Sequence, residues 1–336
     1  MTATLHSVHR STPARGGGGR EPLVIALVNN MPDAALQTTE AQFGELLRVA
    51  GEGVEIRLRL FSFPELIRSE SGRAYVAERY EPIDQLWGGE FDGLIVTGAE
   101  PRTARLSDEV YWPSLVRLAD AAVEIGTPAI WSCLAAHAAV LHLNGVERRR
   151  LGEKISGVFN CAKVHEHALT SGLPTSWAIP HSRHNTLDAN ALEAAGYEIL
   201  SHSAEAGADT FLLPSAMFVF YQGHPEYDPG ALYREYRRDV GRFLSGTMDS
   251  YPEMPRGYFD AAQARAFTDF RVRAHRQRTR ELLADFPIVD MGDTPTHRWR
   301  DAAVRLYANW LTILAERAWP ASQRVGVDAG APACRP

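Results

Sequence analysis

Over the first 150 residues, continuous apolar runs alternate with stretches in which an apolar residue recurs every three or four positions. PLVIALV (22–28) is apolar almost throughout, as expected of a strand covered on both faces. NNMPD follows as a turn, after which Leu36, Phe43, Leu46 and Leu47 fall roughly at helical spacing. VEIRLRLFSF (54–63) alternates and predicts a second strand. Residues 64–90 are polar and broken by Pro and Gly, which predicts a loop or small helix beside the functional site. FDGLIVTGA (91–99) predicts a third strand ending in Thr97-Gly98, 107–125 a helix, and TPAIWS (127–132) a fourth strand. Strand–helix–strand alternation with apolar strands predicts an α/β fold, a parallel central sheet with helices on both faces.

From 151 the texture changes. EKISGVF, AKVHEHAL, YEILSHS, TFLLP and AMFVFYQ are short and separated by turn residues. They predict an antiparallel or mixed strand extension of the sheet that returns GHPEYD to its centre. Helices are expected over about 229–246, 258–285 and 296–318. The last two are C-terminal helical elements (about 258–318) packing on the core rather than an independent domain. One ordered unit is therefore expected over 21–320, with disordered tails at 1–20 and 321–336. The first tail, with STPARGGGGR, lacks the apolar stretch of a secretion signal.

Composition narrows the classes. A chain of 336 residues has room for one large α/β domain, and 45% apolar content is ordinary for a globular protein. A net charge of −6 gives no reason to expect nucleic acid or an anionic membrane as partner. No segment reaches the ~18 uninterrupted apolar residues of a membrane span. The three cysteines, Cys133, Cys161 and Cys334, are too few and odd in number for a disulfide framework, and point to a reducing cytoplasm.

The chemistry concentrates in PAIWSCLAAHAAV and FVFYQGHPEYD. Cys133 ends a buried strand and precedes good helix sequence. A thiol at such a turn sits at the positive end of a helix, beside backbone N–H groups free to hold an oxyanion. A lone Cys in an apolar strand is more often a small core residue. His224 and Glu226 change the balance: at i and i+2 on an extended chain both side chains face one side, so the carboxylate can orient an imidazole that faces the thiol. HxE also opens the zinc-deaminase signature, but the downstream PCxxC is absent. His165 and His167 form an HxH pair without further ligands and are expected to be strand residues, so no metal is expected. Lys154, Arg183 in PHSRH, and Arg238 could hold an acidic substrate. Arg234, Arg237 and Arg238 crowd one helix, and the residues alone do not choose among them.

Cys133 in a strand-turn-helix followed by His224-Pro-Glu226 resembles the flavodoxin-like class I glutamine amidotransferase fold. The ordered set NNMPD, TTEAQF, FDGLIVTGA, VYWP, EKISGVF, PHSRH, GHPEYD and ANWL, from about 22 to 318, resembles the homoserine O-acyltransferases, the homoserine trans-succinylase family of methionine biosynthesis. The resemblance implies transfer from an acyl-CoA co-substrate, succinyl-CoA or acetyl-CoA, to the hydroxyl of L-homoserine, with no permanently bound cofactor. It is compatible with a homodimer. By motif, Cys133 is the acyl-thioester nucleophile, His224 the proton acceptor and Glu226 its partner, while Lys154, Ser182 and Arg238 contact substrate. The chain departs from the family in NNMPDAALQTTE, which lacks the usual Lys, and at Leu134 and His137, where a Trp and a Gln are common. The position that helps set acyl length is Arg102. Its charge favours the free carboxylate of a succinyl group and its bulk does not; charge is expected to decide. A homoserine O-acetyltransferase, a serine O-acyltransferase, an amidotransferase-like hydrolase and a non-catalytic binding protein are the alternatives. The glycines of the usual amidotransferase elbow are missing around Cys133, and an intact Cys-His-Glu set argues against a mere binder.

Overall fold

The computed structural model describes residues 22–289 and 297–316; the tails expected at 1–20 and 321–336 lie outside the described residues. The chain opens with β1 (Leu23–Val28), α1 (Leu36–Ala50), β2 (Ile56–Phe61), α2 (Glu70–Arg79), α3 (Asp84–Trp87) and β3 (Gly93–Val96). Next come α4 (Trp112–Ile125), β4 (Ala129–Ser132), α5 (Leu134–Asn144), β5 (Arg149–Lys163), β6 (Ser176–Thr186), α6 (Ala189–Ala194) and β7 (Glu198–Ile199). The remainder is β8 (Ser201–Ser203), β9 (Gly207–Ala208), β10 (Thr210–Leu213), β11 (Phe218–Tyr221), α7 (Ala231–Leu244), α8 (Ala261–Arg276) and α9 (Arg300–Glu316).

A seven-stranded sheet runs β2-β1-β3-β4-β11-β10-β7. Its first five strands pair in parallel, and β10 is antiparallel to both of its neighbours. The apolar runs are continuous because both faces are covered. Ile25, Leu27, Ile95, Ile130 and Val219 pack on one face beneath α1 and α9, with Phe43, Tyr307 and Trp310. Ala26, Val28, Val96, Trp131 and Phe220 pack on the other beneath α4 and α5. A third apolar cluster joins Tyr236, Val240 and Phe243 of α7 to Phe267 and Phe270 of α8. Thus α8 packs on α7, whereas α9 is part of the main core.

Three expectations change. The helix expected over 258–285 ends at Arg276, and residues 280–285 form a separate 3₁₀ turn. The helix expected over 107–125 begins at Trp112, because residues 106–108 form a separate 3₁₀ turn and Pro113 suits a first helical turn. The strands after 151 do not all extend one sheet. β7, β10 and β11 do, but β5, β6, β8 and β9 form their own antiparallel sheet in the order β6-β5-β8-β9. The start of β5, RRLGEK, is too polar to be covered on both faces, and its pairing with β6 breaks register between Arg150 and Ile155. Pro180 fits inside β6 because β6 is an edge strand.

Candidate active site

The site lies where the parallel strands end at their carboxyl edge, the usual place for a crevice in such sheets. Cys133 joins β4 to α5 with φ 50° and ψ −108°, one of two non-glycine residues with positive φ among those described. Its N–H donates to the Tyr221 carbonyl at 2.7 Å, which ties the elbow to the end of β11. The bend presents the half-buried thiol at the first turn of α5. The end of β3 touches the same turn: a Cβ placed on Gly98 would lie 2.7 Å from Leu134 Cβ and 3.2 Å from its N. Among the described residues the N–H groups of Gly98 and Leu134 have no acceptor, the arrangement that can receive an oxyanion.

His224 and Glu226 are also brought to the thiol, but not by the pleat of a strand. β11 stops at Tyr221, and GHPEYD is a turn in which Tyr227 N–H donates to the His224 carbonyl at 3.1 Å. Within that turn His224 Nδ1 lies 2.8 Å from Glu226 Oε1, which also accepts from Ser132 Oγ at 3.3 Å. The other Glu226 oxygen is buried without a partner. The imidazole stacks on Tyr227 with ring centroids 4.1 Å apart. Burial opposes a charge on His224. The neighbouring Cys133 and Glu226 side chains outweigh it and hold the imidazole pKa well above the usual 6.5.

Lys154, Ser182 and Arg238 line the same cleft of about 250 Å³. Lys154 Nζ donates to Asp239 Oδ2 at 2.8 Å, Arg238 Nε donates to Asp239 Oδ1 at 3.0 Å, and Ser182 Oγ donates to Glu235. Burial pushes the Glu235 pKa up, but Lys154, Arg238 and the hydroxyls of Ser182 and Tyr227 outweigh it and keep the carboxyl ionised. Asp239 is likewise lowered against burial by Lys154 and Arg238. The cleft therefore carries a balanced patch of cations and carboxylates beside the thiol.

Other expected residues fall elsewhere. Arg102 is exposed, its backbone N–H donates to Glu109 at 2.7 Å, and it does not line the cleft. The cation bridging the cleft walls is Arg242, 2.6 Å from Glu100. Arg183, by contrast, does line the cleft; it is buried and donates to the carbonyls of Asn185 and Ala206. Arg234 pairs with Asp228 at the surface. His165 and His167 lie after β5, and His167 caps a 3₁₀ turn instead of lying in a strand. No residue of 64–90 lines the cleft; Arg68 and Ser69 brace it from behind by holding Asp33 of the NNMPD turn, whose Met31 and Pro32 do line it. At the departure His137, the ring bonds Gln222 at 3.0 Å and burial pushes its pKa down to about 3.

Sequence reasoning missed Tyr227, Glu235, Asp239 and Arg242. For the last three a signal was available: Glu235/Asp239 and Arg238/Arg242 are i,i+4 pairs on α7.

The chain matches the family model described as homoserine O-succinyltransferase over residues 10–320. It is 47% identical to a homoserine O-succinyltransferase of Bradyrhizobium japonicum, over 88% of this chain and 92% of that protein. It is 46% identical to one of Rhodopseudomonas palustris, over 91% and 92%. Among solved structures it is similar to a glutamine amidotransferase from Thermotoga maritima, at 13% identity and a TM-score of 0.49, covering 88% of this chain and 100% of that one.

Proposed function

This chain belongs to the homoserine O-succinyltransferase family, and from that membership together with the geometry of the cleft we propose the following assignment of its residues. The enzyme is an acyltransferase that moves a succinyl group to the L-homoserine hydroxyl, a reaction of methionine biosynthesis. His224, oriented by Glu226, takes the proton of Cys133. The thiolate attacks the thioester carbonyl of succinyl-CoA, and the N–H groups of Gly98 and Leu134 receive the oxyanion. The intermediate collapses with loss of CoA, whose sulfur takes the proton from His224. His224 then accepts the proton of the homoserine hydroxyl as that oxygen attacks the Cys133 thioester, and O-succinylhomoserine leaves as the thiolate is restored. Ping-pong kinetics follow.

Arg238 suits the homoserine carboxylate, and Glu235 with Asp239 its ammonium group. Arg102 is exposed and outside the cleft lining, whereas Arg242, which lines the cleft between Glu100 and Asp239, is the better-placed cation for the free carboxylate of the donor. A reaction on a CoA thioester through a free thiol fits a reducing compartment such as the cytoplasm. No helix among the described residues is long and apolar enough to cross a membrane.

The observation that carries this reading is the convergence of Cys133, His224 and Glu226, with His224 Nδ1 2.8 Å from Glu226 Oε1, in one cleft that also holds Lys154, Ser182 and Arg238. Its test is mass spectrometry after succinyl-CoA without acceptor. A succinyl adduct is expected on Cys133 in the wild type and in Cys161→Ala, and none in Cys133→Ala. An adduct on Cys161, or full turnover by Cys133→Ala, rejects the assignment. Arg242→Ala should lower the preference for succinyl-CoA over acetyl-CoA, and Arg102→Glu should leave it nearly unchanged; the reverse would return donor choice to Arg102.

A further inference from the structure

Against the His224 turn lies a second buried His–carboxylate pair that the acyl-transfer steps do not use. His181 of β6 and Asp209, between β9 and β10, are fully buried, and His181 Nε2 faces Asp209 Oδ1 at 3.3 Å. The other ring nitrogen, Nδ1, accepts from Arg183 Nε at 3.4 Å. A ring nitrogen that accepts carries no proton, so the His181 proton sits on Nε2, which lies beside the carboxylate without a well-aligned hydrogen bond. Burial pushes the Asp209 pKa up, but His181 and the hydroxyls of Thr210 and Ser201 outweigh it and keep the group ionised.

Asp209 is tied in turn to the segment that carries His224. Its Oδ1 accepts the Gly223 N–H at 3.1 Å, and its carbonyl accepts the Gln222 N–H at 3.0 Å. On the opposite flank the His224 N–H donates to the carbonyl of Pro180, next to His181, at 2.8 Å. Three consecutive N–H groups are thus held by Asp209 and by the strand bearing His181. There is no slack: a Cβ on Gly223 would lie 2.4 Å from the Ile179 side chain and 2.7 Å from Asp209 Oδ1. Cys161 completes a cluster whose potential metal-ligating atoms lie within 4.8 Å of one another. The Asp209 oxygens, however, already take Gly223, Ser201 and Thr210 as donors, and burial keeps the Cys161 thiol protonated. That chemistry suits a brace better than a metal site.

We propose that His181 and Asp209 are positioning residues for the general base: they fix the 222–224 turn so that the His224 imidazole stays against Cys133. The inference rests on the assignment of His224 as the base, and the test separates the two. Iodoacetamide alkylation of Cys133 at neutral pH is measured in wild type, His224→Ala, Asp209→Asn, His181→Gln and the Asp209→Asn/His181→Gln double variant, with kcat, both KM values, thermal unfolding and bound metal. Asn keeps an acceptor for Gly223 without the charge, and Gln keeps an N–H donor. Each single variant is expected to lower kcat and alkylation roughly 10- to 100-fold, the scale of a misplaced catalytic group, with both KM values within about twofold. The double variant should be no worse than the poorer single one, because the two residues act as a unit. If Asp209→Asn does not fold, His181→Gln is read by the same quantities. Unchanged kcat and alkylation with a lower Tm would make the pair structural only and overturn the inference, as would stoichiometric metal lost on Asp209→Asn. Unchanged alkylation in His224→Ala would instead overturn the assignment of the base.

Discussion

At His224, burial and neighbouring charge pull in opposite directions, and charge prevails. With a folded pKa above 6.5, the imidazolium persists above that pH and is lost as the pH rises through the raised value. The Cys133 side chain contributes to that rise, so Cys133→Ala should lower the His224 pKa; an NMR titration of the ring carbons with no downward shift would contradict the coupling of the two side chains. Glu226→Gln should slow turnover less than His224→Ala, because an amide oxygen still orients the ring without stabilising its charge. Loss of the base itself is expected to cost about 10²–10⁴-fold in kcat. Arg238→Lys should raise the homoserine KM and leave the acylation half-reaction almost untouched, since Lys lacks the planar fork; an equal loss in acylation would give Arg238 a structural role.

Among the elements, the junction of β3, β4 and α5 carries the chemistry. The positive φ of Cys133 is held by its bond to Tyr221 and by α5 behind it, and strain of this kind persists only where surrounding structure enforces it. Gly98 lets β3 approach Leu134 closely. A methyl group there must push the start of α5 away, so Gly98→Ala should slow acylation of Cys133 by about 10²–10³, the cost of one lost oxyanion donor. Rapid-quench acylation at the wild-type rate would show that these N–H groups do not hold the oxyanion. This junction was legible in the sequence because an apolar strand, a Cys and a helix-forming run follow one another directly. The HxE turn was legible as a pair of residues but not as a geometry: the expected pleat is replaced by a tight turn, which the close packing of Gly223 against Asp209 and Ile179 imposes from segments distant in sequence.

For the whole molecule, stability rests on covering both faces of the sheet. Trp310 of α9 is fully buried, and a Cβ on Gly93 would come within 2.8 Å of its ring. Trp310→Ala should therefore cost about 3–5 kcal/mol in urea unfolding; a loss below ~1 kcal/mol would mean α9 is only loosely docked. Acid should act through Asp209, Glu235 and Asp239. Their pKa values are lowered below 3.8 or 4.5 in the fold, so their contribution is present above those values and lost as the pH falls through the folded ones. His224, raised, has the opposite sign: its contribution is present below 6.5 and lost as the pH rises. Tm should drop as the pH falls below about 4, and Asp239→Asn should flatten that drop; an unchanged acid limb would contradict the ionised cleft.

What the sequence determined by itself is what periodicity and local order encode. The two-sided burial of β1, β3, β4 and β11 is written as apolar runs, the place of the proposed nucleophile as a Cys between a strand and a helix, and the membership of the family as an ordered set of motifs. Tertiary structure alone decided which distant groups meet. The second sheet exists because β5 pairs with β6 and sets Gly157 opposite His181, a register that no local pattern specifies. Other long-range contacts put Pro180 and Asp209 on either side of the His224 turn. The fold also leaves Arg102 exposed and Arg242 against Glu100 in the cleft. The sequence offers a charge at each position, but its value depends on burial and on partners that only the folded chain brings within reach.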